Sequence, residues 1–212
     1  MNKTRIVFMG TATFSQAVLE KLIENQYHIV GVVCQPDRLV GRKKQLKMPE
    51  VKEVALKYDI PVFQPERIKT DYQTVLDWQP DMIITAAYGQ LIPQAILDYP
   101  QLGCINVHAS LLPRYRGGAP VHYAIINGDQ QTGVTIMYMA KKMDAGNIIS
   151  QRTVDILPVD TVGVLYDRLS DVGAELLIDT LPSIIEGTND SIEQDESQVT
   201  YSPTISREDE KI

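Results

Sequence analysis

Apolar residues recur along this chain in two rhythms: short continuous runs and longer stripes at helical spacing. Residues 5–9 form an apolar run that stops at Gly10 and reads as a buried strand. Thr13 or Ser15 is a candidate cap for a helix running to about residue 25, with Val18, Leu19, Leu22 and Ile23 on one face. Residues 28–34, apolar after His28, read as a second strand. Strand, helix and strand in immediate succession make a βαβ unit and imply a parallel sheet. Residues 35–48 carry no hydrophobic period and are expected to form a mobile loop. A helix is predicted over 50–58 behind Pro49, a short strand over 60–63, and a helix over 72–78 ended by Pro80. The most buried-looking strand spans 81–87, and a short helix follows Pro93. Next come a strand over 103–107, a helix over 120–127, and strands over 132–139 and 147–154. The clearest stripe is Val162, Leu165, Leu169, Val172, Leu176 and Leu177, a helix over 161–186. Asp160 is its candidate cap, Pro182 should kink or split it, and Gly187 should end it. The whole pattern predicts an α/β fold: a Rossmann-like, mostly parallel sheet with helices on both faces. The first turn holds a single glycine rather than G-x-G-x-x-G, so no dinucleotide fingerprint is present.

Composition narrows the class. With 212 residues, 44% hydrophobic and 22% charged, the chain suits one large soluble domain. No apolar run is long enough to span a bilayer, and the start is a strand rather than a signal peptide, so no membrane partner is expected. Cys34 and Cys104 each border an apolar run, which favours buried thiols over a disulfide and points to the cytoplasm. A net charge of −7 argues against a generic nucleic-acid binder. The charge is uneven, however: Arg38, Arg42, Lys43, Lys44 and Lys47 stand within ten residues that hold no acid. Beyond Glu186 the chain turns polar and acidic.

The residues that could do chemistry gather at the strand before residue 108. Asn106 and His108 are two apart, so on a strand their side chains share a face. The strand's carboxyl end is where open α/β sheets bind ligands. Glycines and prolines follow, in a loop that no core requires. On residue type alone His108 reads equally as structural or catalytic, and His28 and His122 read as structural. Asp144, before Ala145 and Gly146, reads as a turn residue or as a carboxylate that could hold and tune the imidazole. The two cysteines and three histidines fit no zinc spacing, so no metal is expected. There is no phosphate-cradling loop and no G-x-S-x-G. What survives is acid/base and oxyanion chemistry by Asn, His and Asp, which suits acyl transfer without a covalent enzyme intermediate.

These residues carry a resemblance. Asn106-Val107-His108, the run from Ser110 through Pro120, the Thr132–Met137 segment and Asp144-Ala145-Gly146 resemble, in order and spacing, the formyltransferases that use 10-formyltetrahydrofolate. Gln35-Pro36-Asp37-Arg38 with Gly41-Arg42-Lys43-Lys44, and Ile205-Ser206-Arg207-Glu208-Asp209, point within that family to the branch that formylates methionyl-initiator tRNA for translation initiation. The resemblance implies the formyltransferase fold, with Asn106, His108 and Asp144 as the catalytic trio. It implies that the folate co-substrate, 10-formyltetrahydrofolate, lies against Tyr88, Gly89, Gln90, Leu91 and Ile92 and against Ser110, Leu111, Leu112 and Pro113. It implies that Phe14 lines a methionyl pocket and that Arg38, Arg42, Lys43 and Lys44 grip tRNA phosphates. On this reading residues 1–187 form the catalytic domain, and 188–212 a linker toward a C-terminal β-barrel domain that this chain lacks. The expected protein is a cytoplasmic, bacterial monomer. Two rival readings remain: a relative acting on another amine, a sugar nucleotide or glycinamide ribonucleotide, and a non-catalytic RNA-binding module. Ala12 departs from the family pattern, which has proline after Gly-Thr.

Overall fold

The computed structural model describes residues 4–41 and 44–206. Arg42 and Lys43 of the basic stretch, and residues 207–212 of the expected junction, lie outside the described residues. In chain order the elements are β1 (Arg5–Gly10), α1 (Thr13–Glu24), β2 (His28–Val33), β3 (Arg38–Val40), β4 (Gln45–Lys47), α2 (Glu50–Lys57) and β5 (Val62–Phe63). There follow α3 (Gln73–Asp77), β6 (Met82–Ala86), α4 (Gln94–Leu97), β7 (Cys104–His108), α5 (Pro120–Ile126), β8 (Gln131–Tyr138), β9 (Ile148–Asp155) and α6 (Val162–Glu186). Seven strands make one sheet in the order β5-β2-β1-β6-β7-β8-β9. The five from β5 to β7 run parallel, and β8 and β9 are added antiparallel.

The apolar runs are continuous because both sheet faces are covered. Along β1, Ile6 and Phe8 enter one core while Val7 and Met9 enter the other. The larger core lies beneath α1, α2, α5 and α6, and includes Leu19, Leu22, Val54, Leu169 and Leu177. The smaller lies beneath α3 and α4 around Val75 and Ile96. Each fully buried aliphatic side chain contributes about 1.5–3 kcal/mol relative to exposure, so this two-sided burial is the main source of stability. The chain moves outward from β1 through β2 to β5, then returns to β6 and moves the other way. The β1–β6 boundary is therefore a topological switch point, the place where such sheets leave a crevice.

Four sequence expectations are corrected here. Within the expected loop, β3 and β4 pair antiparallel, Arg38 with Lys47, Leu39 with Leu46 and Val40 with Gln45. Leu39 and Leu46 face each other across this pair at 63% and 67% exposure, so the apolar residues at that position project to solvent rather than into a core. Ser15 does not act as the N-terminal residue of α1. It is fully buried three residues in, where its hydroxyl accepts from the Thr11 N–H and donates to the Ala86 carbonyl. The cap of α6 is Thr161, whose hydroxyl accepts from Val164, while Asp160 turns to Arg168 and to the Leu157 N–H. Pro182 does not split α6, which runs 25 residues and stops, as expected, at Gly187 in the left-handed conformation. Beyond it, residues 188–202 fold back onto the body. Ile192 bridges to Ile148, and Tyr201 bridges to Arg116.

Candidate active site

Strand β7 delivers the two residues that the sequence singled out. Ile105 and Val107 enter the larger core, so Asn106 and His108 project from the opposite face. Thr85, at the paired position on β6, donates its hydroxyl proton to Asn106 Oδ1 at 2.8 Å. With its oxygen engaged, the Asn106 carboxamide is left to present its NH2 group.

His108 is 6% exposed, and its ring is held from both sides. Nε2 lies 3.0 Å from the carbonyl oxygen of Tyr115. A carbonyl can only accept, so in the neutral ring Nε2 carries the hydrogen and the basic lone pair is on Nδ1. Nδ1 faces Asp144 Oδ2 at 3.8 Å, beyond hydrogen-bond range but well within reach of Coulomb attraction once the ring is charged. Asp144 Oδ2 itself accepts from the Gly117 N–H at 2.9 Å. The orienting role that the sequence reading gave to Asp144 is thus divided. Tyr115 fixes the ring and its tautomer, and Asp144 supplies the negative charge.

The loops around this trio are strained. Ala87, Tyr115 and Asp144 adopt φ of +44°, +60° and +48°, the left-handed region that side chains other than glycine rarely occupy. Each such residue costs about 1–3 kcal/mol and persists only where its surroundings impose it. At Tyr115 those surroundings are explicit. Its N–H donates to Thr200 Oγ1 at 2.9 Å, and its hydroxyl donates to Asp129 at 2.6 Å. Gly117 has φ +123°, and a Cβ there would lie 2.6 Å from the Ser202 carbonyl oxygen, so only glycine fits.

A cleft of about 700 Å³ opens at the β1–β6 switch point. Its lining includes Tyr88, Gly89 and Gln90, Thr11 and Ala12, and Arg38, Lys47 and Glu50. The Tyr88 loop is tied down rather than free. Its carbonyl accepts from Thr11 Oγ1 at 2.9 Å and from Gln35 Nε2 at 3.2 Å, and Gln90 Oε1 accepts from the Ile68 N–H at 3.0 Å. Leu91 continues the loop at 71% exposure, and Ile92 is half-buried. The Tyr88 hydroxyl is buried without a partner, and burial pushes its acidity well below that of a free phenol. Lys44 is exposed in the hairpin turn.

Other expected ligand contacts are placed differently. Ser110 is fully buried, with its hydroxyl donating to the Arg114 carbonyl. The Leu112 N–H donates to Thr135 Oγ1, and the Leu112 carbonyl accepts from Gln151. The Leu111 carbonyl accepts from the Arg114 N–H, and the Pro113 carbonyl from the Thr200 N–H. The Leu112 N–H and the Leu111, Leu112 and Pro113 carbonyls are therefore engaged within the protein. Phe14 is 2% exposed in the larger core and packs on Tyr166 of α6, with ring centroids 5.6 Å apart; it does not line the cleft. His28 is exposed at the start of β2, and His122 is half-buried on α5. Burial pushes the Cys34 and Cys104 thiols up to about 12, so neither supplies a thiolate nucleophile near neutral pH. Among the described residues no group of three or more His, Cys, Asp or Glu side chains could hold a metal ion.

Sequence reasoning missed Thr85, Tyr115, Gln194 and Ser202, all of which steady the trio. Tyr115 acts through its backbone, which no side-chain pattern reveals. Thr85 has a legible signal in retrospect: a hydroxyl interrupting an otherwise aliphatic strand.

Comparison with known proteins identifies the family. Residues 4–181 match the formyl transferase family. The methionyl-tRNA formyltransferase of Staphylococcus aureus strain JH1 is 57% identical over 211 residues, covering 99% of this chain and 68% of that protein. Two solved structures show the same fold at lower identity. Glycinamide ribonucleotide transformylase 1 from Symbiobacterium toebii superimposes with a TM-score of 0.74 at 20% identity, over 91% of this chain and 94% of its own. A formyltetrahydrofolate deformylase from Pseudomonas syringae pv. tomato reaches 0.75 at 22% identity, over 92% and 67%. With an Asn-x-His strand, a facing carboxylate, and a family match spanning most of its length, the chain belongs to the formyl transferase family.

Proposed function

We propose that this chain transfers the formyl group of 10-formyltetrahydrofolate to the α-amino group of methionyl-initiator tRNA, acting as a monomer in the cytoplasm. The observation that carries the chemistry is the setting of His108, with Nε2–H spent on the Tyr115 carbonyl and the Nδ1 lone pair facing Asp144. The 57% identity to a methionyl-tRNA formyltransferase supports the choice of acceptor.

The formyl donor supplies an electrophilic carbon bound to a nitrogen leaving group. His108 Nδ1 takes the proton that the attacking amine must lose and returns it to the departing nitrogen, an effect of about 10²–10⁴ in rate. Asp144 stabilises the imidazolium between those two events. The Asn106 NH2 group, oriented by Thr85, donates to the formyl oxygen as negative charge gathers there, a contribution of about 10²–10³. The cleft suits a flat, hydrogen-bonding co-substrate: Tyr88, Gly89 and Gln90 line it with a loop that Thr11, Gln35 and Ile68 hold in place. Arg38 also lines this cleft and offers positive charge to an acceptor carrying phosphates, while Lys47 beside it is paired with Glu50 at 2.6 Å.

The deciding experiment offers formyl-labelled donor to the purified protein with three acceptors: methionyl-tRNA, an aminosugar nucleotide and glycinamide ribonucleotide. Label is expected on methionyl-tRNA. Label on either other amine would replace the acceptor. RNA binding with no folate binding and no transfer would refute the enzyme reading.

A further inference from the structure

Gln194 lies on the segment that returns from α6, and it touches the turn that carries Asp144. It is 5% exposed. Its Oε1 accepts from Arg116 Nε at 3.0 Å and Nη2 at 2.8 Å, and its Nε2 donates to the carbonyls of Asp144 at 2.8 Å and Gly146 at 2.7 Å. A guanidinium only donates and a carbonyl only accepts, so the carboxamide has one permitted orientation, with its hydrogen-bonding capacity filled. Arg116 is fully buried, and its Nη1 lies 2.9 Å from Glu196 Oε1, a charge contact rather than an aligned hydrogen bond. Glu196 Oε2 also meets Lys142, two residues before Asp144.

The turn needs this support. Asp144 is left-handed at φ +48°, and a Cβ at Gly146 would lie 1.8 Å from the Tyr138 carbonyl oxygen, so the turn is pressed against β8. The same segment also grips the other side of His108. Ser202 Oγ donates to the Tyr115 carbonyl at 3.2 Å, the oxygen that takes the Nε2 hydrogen, and the Arg116 N–H donates to the Thr200 carbonyl. Both neighbours of the imidazole are thus held by residues beyond 181, outside the span that matches the family.

We propose that Gln194 is a positioning residue for formyl transfer: anchored on buried Arg116, its carboxamide holds the Asp144–Gly146 turn at the distance from His108 that catalysis requires. The inference rests on the reading of the site as a formyl-transfer site. It makes residues 188–202 part of the catalytic unit.

The test is Gln194→Glu in the full natural chain. This substitution keeps the acceptor for Arg116 but turns an oxygen toward two carbonyl oxygens. A role confined to anchoring Arg116 predicts a neutral or stabilised variant with unchanged turnover. Positioning predicts that kcat per folded molecule drops about 10- to 100-fold, since misplacement of order 1 Å costs that much. The KM values for formyl donor and methionyl-tRNA should stay within about threefold. Amide exchange in residues 141–147 should quicken by roughly tenfold or more as the turn loosens. Gln194→Met, which keeps the length without a donor, carries the same test if the glutamate variant fails to fold. Turnover within about twofold of wild type, or a loss explained wholly by unfolded protein, overturns the proposal. If the wild-type chain transfers no formyl group, the functional reading falls by itself, and unchanged exchange at 141–147 then overturns the positioning role independently.

Discussion

Replacing Asp144 by asparagine isolates the one charge that faces His108. The shapes are nearly equal, and the new carboxamide oxygen can still accept from the Gly117 N–H, so the turn keeps its 2.9 Å hydrogen bond. What disappears is the attraction between carboxylate and imidazolium across 3.8 Å. At that spacing Coulomb's law gives about 4 kcal/mol with an effective dielectric of about 20, and about 1 kcal/mol in bulk water. The side chains are 6% and 16% exposed, which places the site toward the upper figure. Each ~1.4 kcal/mol is tenfold in rate, so Asp144→Asn should lower kcat by about 10- to 10³-fold. The loss belongs to the step in which the ring is charged, so KM for either substrate should move less than about threefold. Single-turnover formyl transfer measures the chemical step directly. The loss should also persist at low and high salt, because a covered pair is weakly screened. A variant within about twofold of wild-type turnover would refute the argument: the carboxylate would then be a structural acceptor for Gly117 and nothing more.

Further outcomes follow from the same geometry. His108→Ala should lose about 10²–10⁴ in kcat, and Asn106→Ala about 10²–10³, with thermal unfolding showing a folded protein in each case. Replacing Arg38, Lys44 and Lys47 together by alanine should weaken methionyl-tRNA binding and flatten its dependence on salt concentration, each lost phosphate contact reducing the slope by about one; an unchanged slope removes the hairpin from the interface. Cys34 and Cys104, buried and pushed up to about 12, should resist a thiol-colouring reagent in the native protein and react in denaturant. Arg168 holds the Asp160 carboxyl below its ordinary 3.8, so this pair stabilises the fold above pH 3.8 and the contribution is lost as pH falls through the lower folded value. Acid unfolding of Asp160→Asn should show a shallower pH dependence in that window.

The fold was legible where burial imposes a period. Runs such as Ile6–Met9 and Met82–Ile84 must be apolar throughout because helices cover both faces, and the α6 stripe must repeat at helical spacing to lie on the sheet. The β3–β4 hairpin was not legible, because Leu39 and Leu46 project to solvent and no core selects their alternation. Asn106 and His108 could be seen because a polar pair on an aliphatic strand needs a reason. Asp144 could be offered as their partner but not chosen over a turn residue on spacing alone, since it stands 36 positions beyond His108.

The support behind the trio was least legible, and the cause is physical. Residues 188–202 carry few apolar side chains, so by composition they resemble a solvated tether. They dock through directional bonds instead. Gln194 fills every position of its carboxamide, Thr200 and Ser202 meet the backbone of Tyr115 and Arg116, and Arg116 places a charge where only matched partners make burial tolerable. Hydrophobic periodicity reports area removed from water and is silent about contacts of this kind. A site that must hold a base, a carboxylate and an oxyanion donor in fixed relation depends on directional contacts more than on area. The residues doing that holding are therefore the ones a pattern of apolar and polar positions conceals.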